Sequence, residues 1–232
     1  MGGAYSENNV VVAGGSGLVG SELLKELLED GPITRVYALT RSTLPYYHSK
    51  LDTLQDPELR ILDWDDENPA PTLGFICLGS TLKQAGSAKD LAKVDYELVC
   101  RVAHSMKVIG VKRLAVVSSY GASRNSLIHY LRCKGKMETA IAQMGFDKLI
   151  FMRPGPLKGL RDSPRKIEAI THGILKFLQP LMQGNLVNAS PIDARSVALA
   201  MLFALLNAPS PQHQILNNIE INQLLNQYHI SS

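Results

Sequence analysis

Short aliphatic runs recur along the chain and alternate with longer stretches whose apolar residues return at helical spacing, the pattern of a parallel sheet covered by helices. Val10–Val12 reads as a buried strand, and Leu18–Leu28 as the helix behind it, closed by Gly31-Pro32 acting as a C-cap glycine and a breaker. Ile33–Thr40 is the second strand. A polar loop over Leu44–Glu58 leads to a short third strand, Leu59–Trp64, and Leu73–Leu78 is the fourth. A helix over Leu91–Ile109 is expected to carry Val94, Leu98, Val102 and Val108 on its inner side and to end at Gly110. The fifth strand, Leu114–Val117, is followed by a loop, Tyr120–Asn125, and a helix from about Ser126 to Met144; Lys148–Met152 is the sixth.

Past the sixth strand the pattern changes. Leu160–Arg165 reads as loop. Arg165–Gln179 puts Ile167, Ile170, Ile174, Leu175 and Leu178 on one face, as for a helix lying over the site or against a second subunit; a membrane-surface helix is the alternative. Ser190-Pro191-Ile192-Asp193 predicts a helix start, with an N-cap, Pro at N1 and an acid at N3. The helix it opens, Ile192–Leu206, is apolar nearly all round and so belongs in the core or in a homodimer interface. The tail, Gln214–Leu225, predicts an edge strand at Ile215–Ile221.

At 232 residues the chain suits a single doubly wound α/β domain, with residues 156–190 forming a small substrate cover within it. A net charge of +3 is too slight for a nucleic-acid partner but favours an anionic cofactor. Cys77, Cys100 and Cys133 are odd in number and widely spaced, which fits reduced thiols and neither a disulfide frame nor a metal site. Met1–Asn9 lacks the layout of a signal peptide, and no apolar run is long enough to cross a bilayer. A cytoplasmic protein without stable membrane insertion is expected.

The candidate chemistry starts at the first strand–helix turn. Gly14, Gly15, Ser16, Gly17, Leu18, Val19 and Gly20 form a glycine turn of spacing Gly-x-x-Gly-x-x-Gly, suited to a dinucleotide pyrophosphate. Gly14 permits the tight turn, Gly17 the approach of phosphate, and Gly20 the close packing of helix on strand. Arg41, where an acid would reject a 2′-phosphate, favours NADP(H) over NAD(H). Asp63 could accept from an adenine amino group, or be the first of a solvated acidic run. Leu78 ends the fourth strand and leads into Gly79, Ser80 and Thr81, whose short side chains let a ribose lie against the backbone; Leu78, Gly79 and Ser80 are cofactor-binding candidates. Ser118 and Ser119 stand at the carboxyl end of the fifth strand, the ligand edge of such sheets. Tyr130 and Lys134 share a helix face, which Glu138 continues, and Gly135 implies a close approach there. Tyr46 and Lys50 show the same spacing in a loop where no mechanism would use it, and His129 and Cys133 read as packing.

These motifs together resemble an atypical short-chain dehydrogenase/reductase of the Tat-interacting-protein-like branch. The resemblance runs from about residue 9 to 220. It rests on the glycine turn, Cys77-Leu78-Gly79-Ser80-Thr81, Lys83-x-Ala85-Gly86, Val94-Asp95, Ser118-Ser119-x-Gly121-Ala122, Tyr130-x-x-x-Lys134-Gly135 and Arg153-Pro154-Gly155-Pro156-Leu157. It implies a Rossmann sheet binding NADP(H), with Arg153 and Pro154 at the cofactor's nicotinamide end. It further implies that Tyr130 passes a proton to a small carbonyl substrate, that Lys134 lowers the phenol's pKa and holds ribose hydroxyls, and that Ser118, with Ser119 as rival, steadies the carbonyl oxygen. A cofactor-binding regulator without turnover, and a sugar-nucleotide epimerase or dehydratase, are the alternative functions.

Overall fold

The computed structural model describes residues 8–29, 31–45, 47–61, 64–65, 67–79, 87–158, 186–206 and 212–228. Its centre is a seven-stranded parallel sheet formed by β1 (Asn8–Ala13), β2 (Ile33–Thr40), β3 (Leu51–Gln55), β4 (Leu73–Ile76), β5 (Arg113–Val117), β6 (Lys148–Arg153) and β9 (His213–Asn217). The strands lie in the order β3-β2-β1-β4-β5-β6-β9, so the winding reverses between β1 and β4, and a crevice opens there at the carboxyl edge. A pair of two-residue strands, β7 (Leu157–Lys158) and β8 (Ile192–Asp193), makes a second, parallel sheet.

The alternation of side chains along β1 divides the core. Val10 and Val12 pack with α1 (Leu18–Leu28), α5 (Ala194–Leu206) and α6 (Asn218–Gln227) on one face. Val11 and Ala13 pack on the other face with α3 (Val99–Val108) and α4 (His129–Ala142). α3 is preceded by α2 (Ala88–Ala92) and a π-helical turn, Lys93–Leu98. As its composition requires, α5 is buried nearly all round, against α1, α6, β5 and β6 of the same chain.

Several boundaries depart from expectation, each for a local reason. The third strand is Leu51–Gln55, inside the predicted loop; at this edge of the sheet only Leu51 is buried, so its sequence looks polar. The described part of Leu59–Trp64 is not a strand. The Asp56 carboxylate takes the Glu58 and Arg60 N–H groups, and Leu59 turns at φ +56°. The apolar residues there cap the core instead, with Trp64 edge-on to Tyr37 at 4.8 Å. α1 ends at Glu29 in extended backbone, ahead of Gly31. Val108 is 72% exposed, because it lies six residues beyond Val102 and hence about 120° off that face; Met106 occupies the buried position. The α4 helix starts at His129 rather than Ser126. Ser190-Pro191 caps no helix: the Ser190 hydroxyl donates to the Val187 carbonyl, Ile192–Asp193 pairs as β8, and the helix begins at Ala194. The last strand ends at Asn217, where a capping box with Glu220 starts α6 across the predicted strand. The expected loop 160–165 and helix 165–179 lie outside the described residues.

Candidate functional site

The glycine turn joins β1 to α1 at the crevice. Gly14 has φ +90°, and a Cβ there would come within 2.8 Å of the Cys77 backbone. A Cβ on Gly20 would lie 2.1 Å from the Gly14 carbonyl oxygen, so only glycine lets the helix sit this close to the turn. Gly17 is the N-cap residue and offers no side chain to the helix, and the first turn of α1 carries no acid. The N–H groups of Leu18, Val19 and Gly20 are thus left without helical partners beside the exposed Ser16, under the positive end of the helix dipole. This cradle fits the pyrophosphate of a dinucleotide. Arg41 is exposed at the end of β2; Asp63 and Ser80 lie outside the described residues.

Across the crevice, β5 hands its chain to the site. Ser118 N–H donates to the Met152 carbonyl (2.7 Å) and Tyr120 N–H to the Pro154 carbonyl (2.9 Å), so this exit stays tied to that of β6. The α4 helix then returns across it. A Cβ on Gly135 would meet Ser123 C at 2.2 Å, which is the close approach that the glycine implied. Tyr130 is half-buried on this helix and Lys134 is 1% exposed one turn on. The Lys134 ammonium sits 2.8 Å from Asp95 Oδ1 and donates to the Val117 carbonyl (3.3 Å), directly beneath the exposed Gly79. Burial acts against the charge on Lys134, but Tyr130, Asp95 and Glu138 outweigh it and hold the ammonium above its usual range.

Two expectations about roles change here. Burial pushes the Tyr130 phenol above its ordinary value; Lys134 opposes this, while Asp95 reinforces it. The ammonium does pull the phenol down, as expected, but burial outweighs it. Ser118, 3% exposed, donates its single hydroxyl proton to Glu138 Oε1 (2.5 Å), and Glu138 is gripped from the other side by Arg153 Nε (2.9 Å) and Nη2 (2.5 Å). Ser119, half-buried, directs its hydroxyl at the Tyr120 carbonyl (3.4 Å) and lies close enough to Tyr130 to act on its phenol. The structure therefore brings Ser119, Tyr130, Lys134 and Asp95 into one cluster, with Ser118, Glu138 and Arg153 behind it. Pro154 is buried at the exit of β6.

Asp95 had been noted only as part of a family pattern, and its role was missed. A carboxylate among the apolar positions of a predicted helix is the one signal that could have marked it. Lys50 donates to the Glu29 carbonyl, away from the site. Cys133 lies 3.6 Å from the His129 ring; burial raises its thiol, and also raises those of Cys77, to about 12, and Cys100, to about 11. All three cysteines are free and none is primed as a nucleophile.

Known proteins resemble this chain in sequence and in fold. The HIM1 family matches residues 72–183. "Protein fmp52, mitochondrial" of Aspergillus clavatus is 32% identical over 209 residues, covering 86% of this chain and 88% of its own. "Protein HTATIP2" of Rattus norvegicus is 30% identical over 219 residues, covering 93% and 88%. The chain belongs to the Tat-interacting-protein branch of the atypical short-chain dehydrogenase/reductases. Among solved structures, MoeE5 in complex with UDP-glucuronic acid and NAD superposes with a TM-score of 0.67 at 17% identity, over 94% of this chain and 80% of its own. That likeness shows the fold, a Rossmann-type α/β sheet. The expectation of a cytoplasmic location is overturned by the fungal relatives, which are named as mitochondrial proteins. No helix among the described residues is long and apolar enough to cross a membrane.

Proposed function

We propose that this protein is an NADP(H)-dependent oxidoreductase that reduces a small carbonyl compound. The observation that carries the proposal is the cluster of Tyr130, Lys134 and Ser119 across the crevice from an uncapped glycine turn. Bound NADPH supplies the hydride. The glycine turn holds the pyrophosphate, and Arg41, with no acid beside it through Thr43, pairs with the 2′-phosphate. Tyr130 gives its proton to the substrate oxygen as negative charge develops there. Ser119 donates a hydrogen bond to that oxygen, since the Ser118 proton is already engaged by Glu138. Lys134 has three N–H donors. Asp95 and the Val117 carbonyl occupy two of its directions, and the third serves the phenol or a ribose hydroxyl. Leu157 pairs with Ile192 beside the exit of β6, on the side where a substrate would enter.

The test is a panel of aldehydes and ketones followed by NADPH oxidation, with wild type and Tyr130→Phe. Turnover lost in the variant with NADPH affinity retained supports the proposal. Binding without turnover across the panel would favour a cofactor-sensing regulator, and no affinity for either pyridine nucleotide would end both.

A further inference from the structure

Two apolar side chains stand in water at a place where local preference asks for polar ones. Leu127 is 97% exposed and Ile128 40%, at the tip of the loop that joins β5 to α4. Ile128 is also the N-cap residue of α4 and gives the helix no side-chain cap. Isoleucine is among the poorest residues at that position, and serine or asparagine among the best. The tip is nonetheless held in one shape. The Arg132 guanidinium donates from the first turn of α4 to the Ser126 and Leu127 carbonyls (2.7 and 3.3 Å). Ile128 N–H donates to Ser126 Oγ (3.1 Å), and Ser126 N–H to the Ser123 carbonyl (3.0 Å). A forgone cap and an exposed aliphatic pair on a braced loop are departures from local preference of the kind found at functional surfaces. The charges next to the tip are positive. Arg124 is exposed beside it, Arg132 lies behind it, and Lys89 is exposed on α2, which packs against α4. Asp90, on the same short helix, is engaged by Ser87 and Lys93. Residues 118–137 contain no acid, and Glu138 is buried against Arg153.

We propose that this tip is a docking surface for an anionic phospholipid bilayer, with Leu127 and Ile128 entering the headgroup layer and Arg124, Arg132 and Lys89 facing lipid phosphates. Binding to a bilayer surface grows with the apolar area buried and with the attraction of basic groups to anionic lipid, and the tip supplies both. At 97% exposure Leu127 is a projection rather than the wall of a groove, and a fluid interface receives a projection without a fitted pocket. A second copy of this chain fits the tip less well, because a two-fold contact across Leu127 would set the Arg124 side chains of both copies against each other. Tyr130 lies two residues beyond Ile128, so docking in this orientation turns the mouth of the proposed site toward the lipid. No part of this requires that Tyr130 donate a proton.

The experiment is co-sedimentation of the full chain with vesicles, either of phosphatidylcholine alone or of phosphatidylcholine mixed with phosphatidylserine. Wild type is expected to partition onto the mixed vesicles, more weakly as salt is raised, and to leave phosphatidylcholine alone largely unbound. Leu127→Ser combined with Ile128→Ser is expected to lower the partition coefficient at least about tenfold. Serine is a favoured N-cap, so the double variant should melt no lower than wild type, and lost binding then cannot be ascribed to unfolding. Arg124→Glu is expected to bind the mixed vesicles less. In Leu127→Trp, emission should shift to the blue with mixed vesicles, beyond any change in the wild type, whose one tryptophan is Trp64. The proposal is overturned if wild type stays in the supernatant with mixed vesicles, if the double variant binds as wild type does, or if phosphatidylcholine alone binds as well as the mixture. It is overturned equally if the protein self-associates and the double variant abolishes this, which would assign the tip to a second copy. Vesicle binding uses neither NADPH nor a carbonyl compound, so it can fail while the reductase panel succeeds, or succeed while the panel fails.

Discussion

Gly135→Ala sets two opposing effects against each other at one atom. Gly135 lies inside α4, where alanine is favoured over glycine by about 1 kcal/mol. The added Cβ, however, would come within 2.2 Å of Ser123 C, 2.3 Å of Arg124 N and 2.6 Å of Ser123 Cα. These are backbone atoms and cannot rotate away. Their segment is also anchored, since Ser123 N–H donates to the Leu131 carbonyl of the same helix (3.1 Å). Relief therefore requires helix and loop to part, and overpacking of this kind costs about 1–3 kcal/mol, toward the upper end when backbone is involved. After the propensity gain, a net loss of about 1–2 kcal/mol remains, or about 2–8 °C in Tm for a chain of this size. Thermal melts followed by circular dichroism would measure it. Gly31→Ala, where a Cβ meets nothing within 4 Å, is the control and should be neutral or slightly stabilising. A Gly135→Ala protein that melts at or above the wild-type temperature would show that the 120–127 loop does not rest on α4, and the position assigned to Ser119 beside Tyr130 would go with it.

Other consequences follow from single contacts. Gly20→Ala drives a Cβ into the Gly14 carbonyl oxygen, so NADPH affinity measured by calorimetry should fall at least about tenfold, equivalent to about 1.4 kcal/mol. Asn218 is 1% exposed; it accepts from Gly155 N–H and donates to the Val187 and Ser190 carbonyls, tying α6 to the exit of β6. Asn218→Ala leaves these groups unpaired and should lower stability by about 1–3 kcal/mol in urea unfolding. Arg60 holds the Asp56 carboxyl at about 2, down from 3.8. A carboxyl depressed in the folded state contributes stability that is complete above its unfolded value and is lost as pH falls through the folded one. Asp56→Asn should therefore flatten the loss of stability between about pH 4 and 2 in acid titrations followed by fluorescence, and an unchanged slope would refute the assignment.

What could be read in advance divides by the range of the interactions. Leu18–Leu28 and Ile33–Thr40 were legible residue for residue, because burial on one face or in a central strand writes its period into the sequence. The doubly wound order followed from alternating strands and helices. Leu51–Gln55 was hidden because an edge strand needs few apolar residues, and Asn218–Gln227 because one apolar run crosses from strand to helix. There the Asn217–Glu220 box was the readable signal. In the site, glycines announced themselves wherever backbone meets backbone, at Gly14, Gly20 and Gly135. The pairings did not. Spacing along one helix shows which residues share a face, but Lys134 finds its partner on another helix, at a π turn that no local pattern signals.

The same limit governs the choice between the two serines. In the sequence they differ only by one place, and the distance to Gly121 pointed to Ser118. Burial reverses that preference. A hydroxyl has one proton to give, and the Ser118 proton lies against a carboxylate paired with Arg153, an acceptor stronger than a neutral carbonyl oxygen. For Ser118 to serve the substrate it would have to abandon Glu138 inside the core, leaving that carboxylate short of a donor, at a cost of about 1–3 kcal/mol. Ser119 gives up less, since its hydroxyl makes only a long bond (3.4 Å) to the neutral Tyr120 carbonyl. The Ser118–Glu138–Arg153 chain is then the frame on which the reacting groups stand. It fixes the exit of β5 to that of β6 through side chains, as the Ser118 and Tyr120 amides do through backbone. Ser118→Ala should therefore act mainly on stability, and Ser119→Ala on kcat; the reverse outcome would return the carbonyl contact to Ser118.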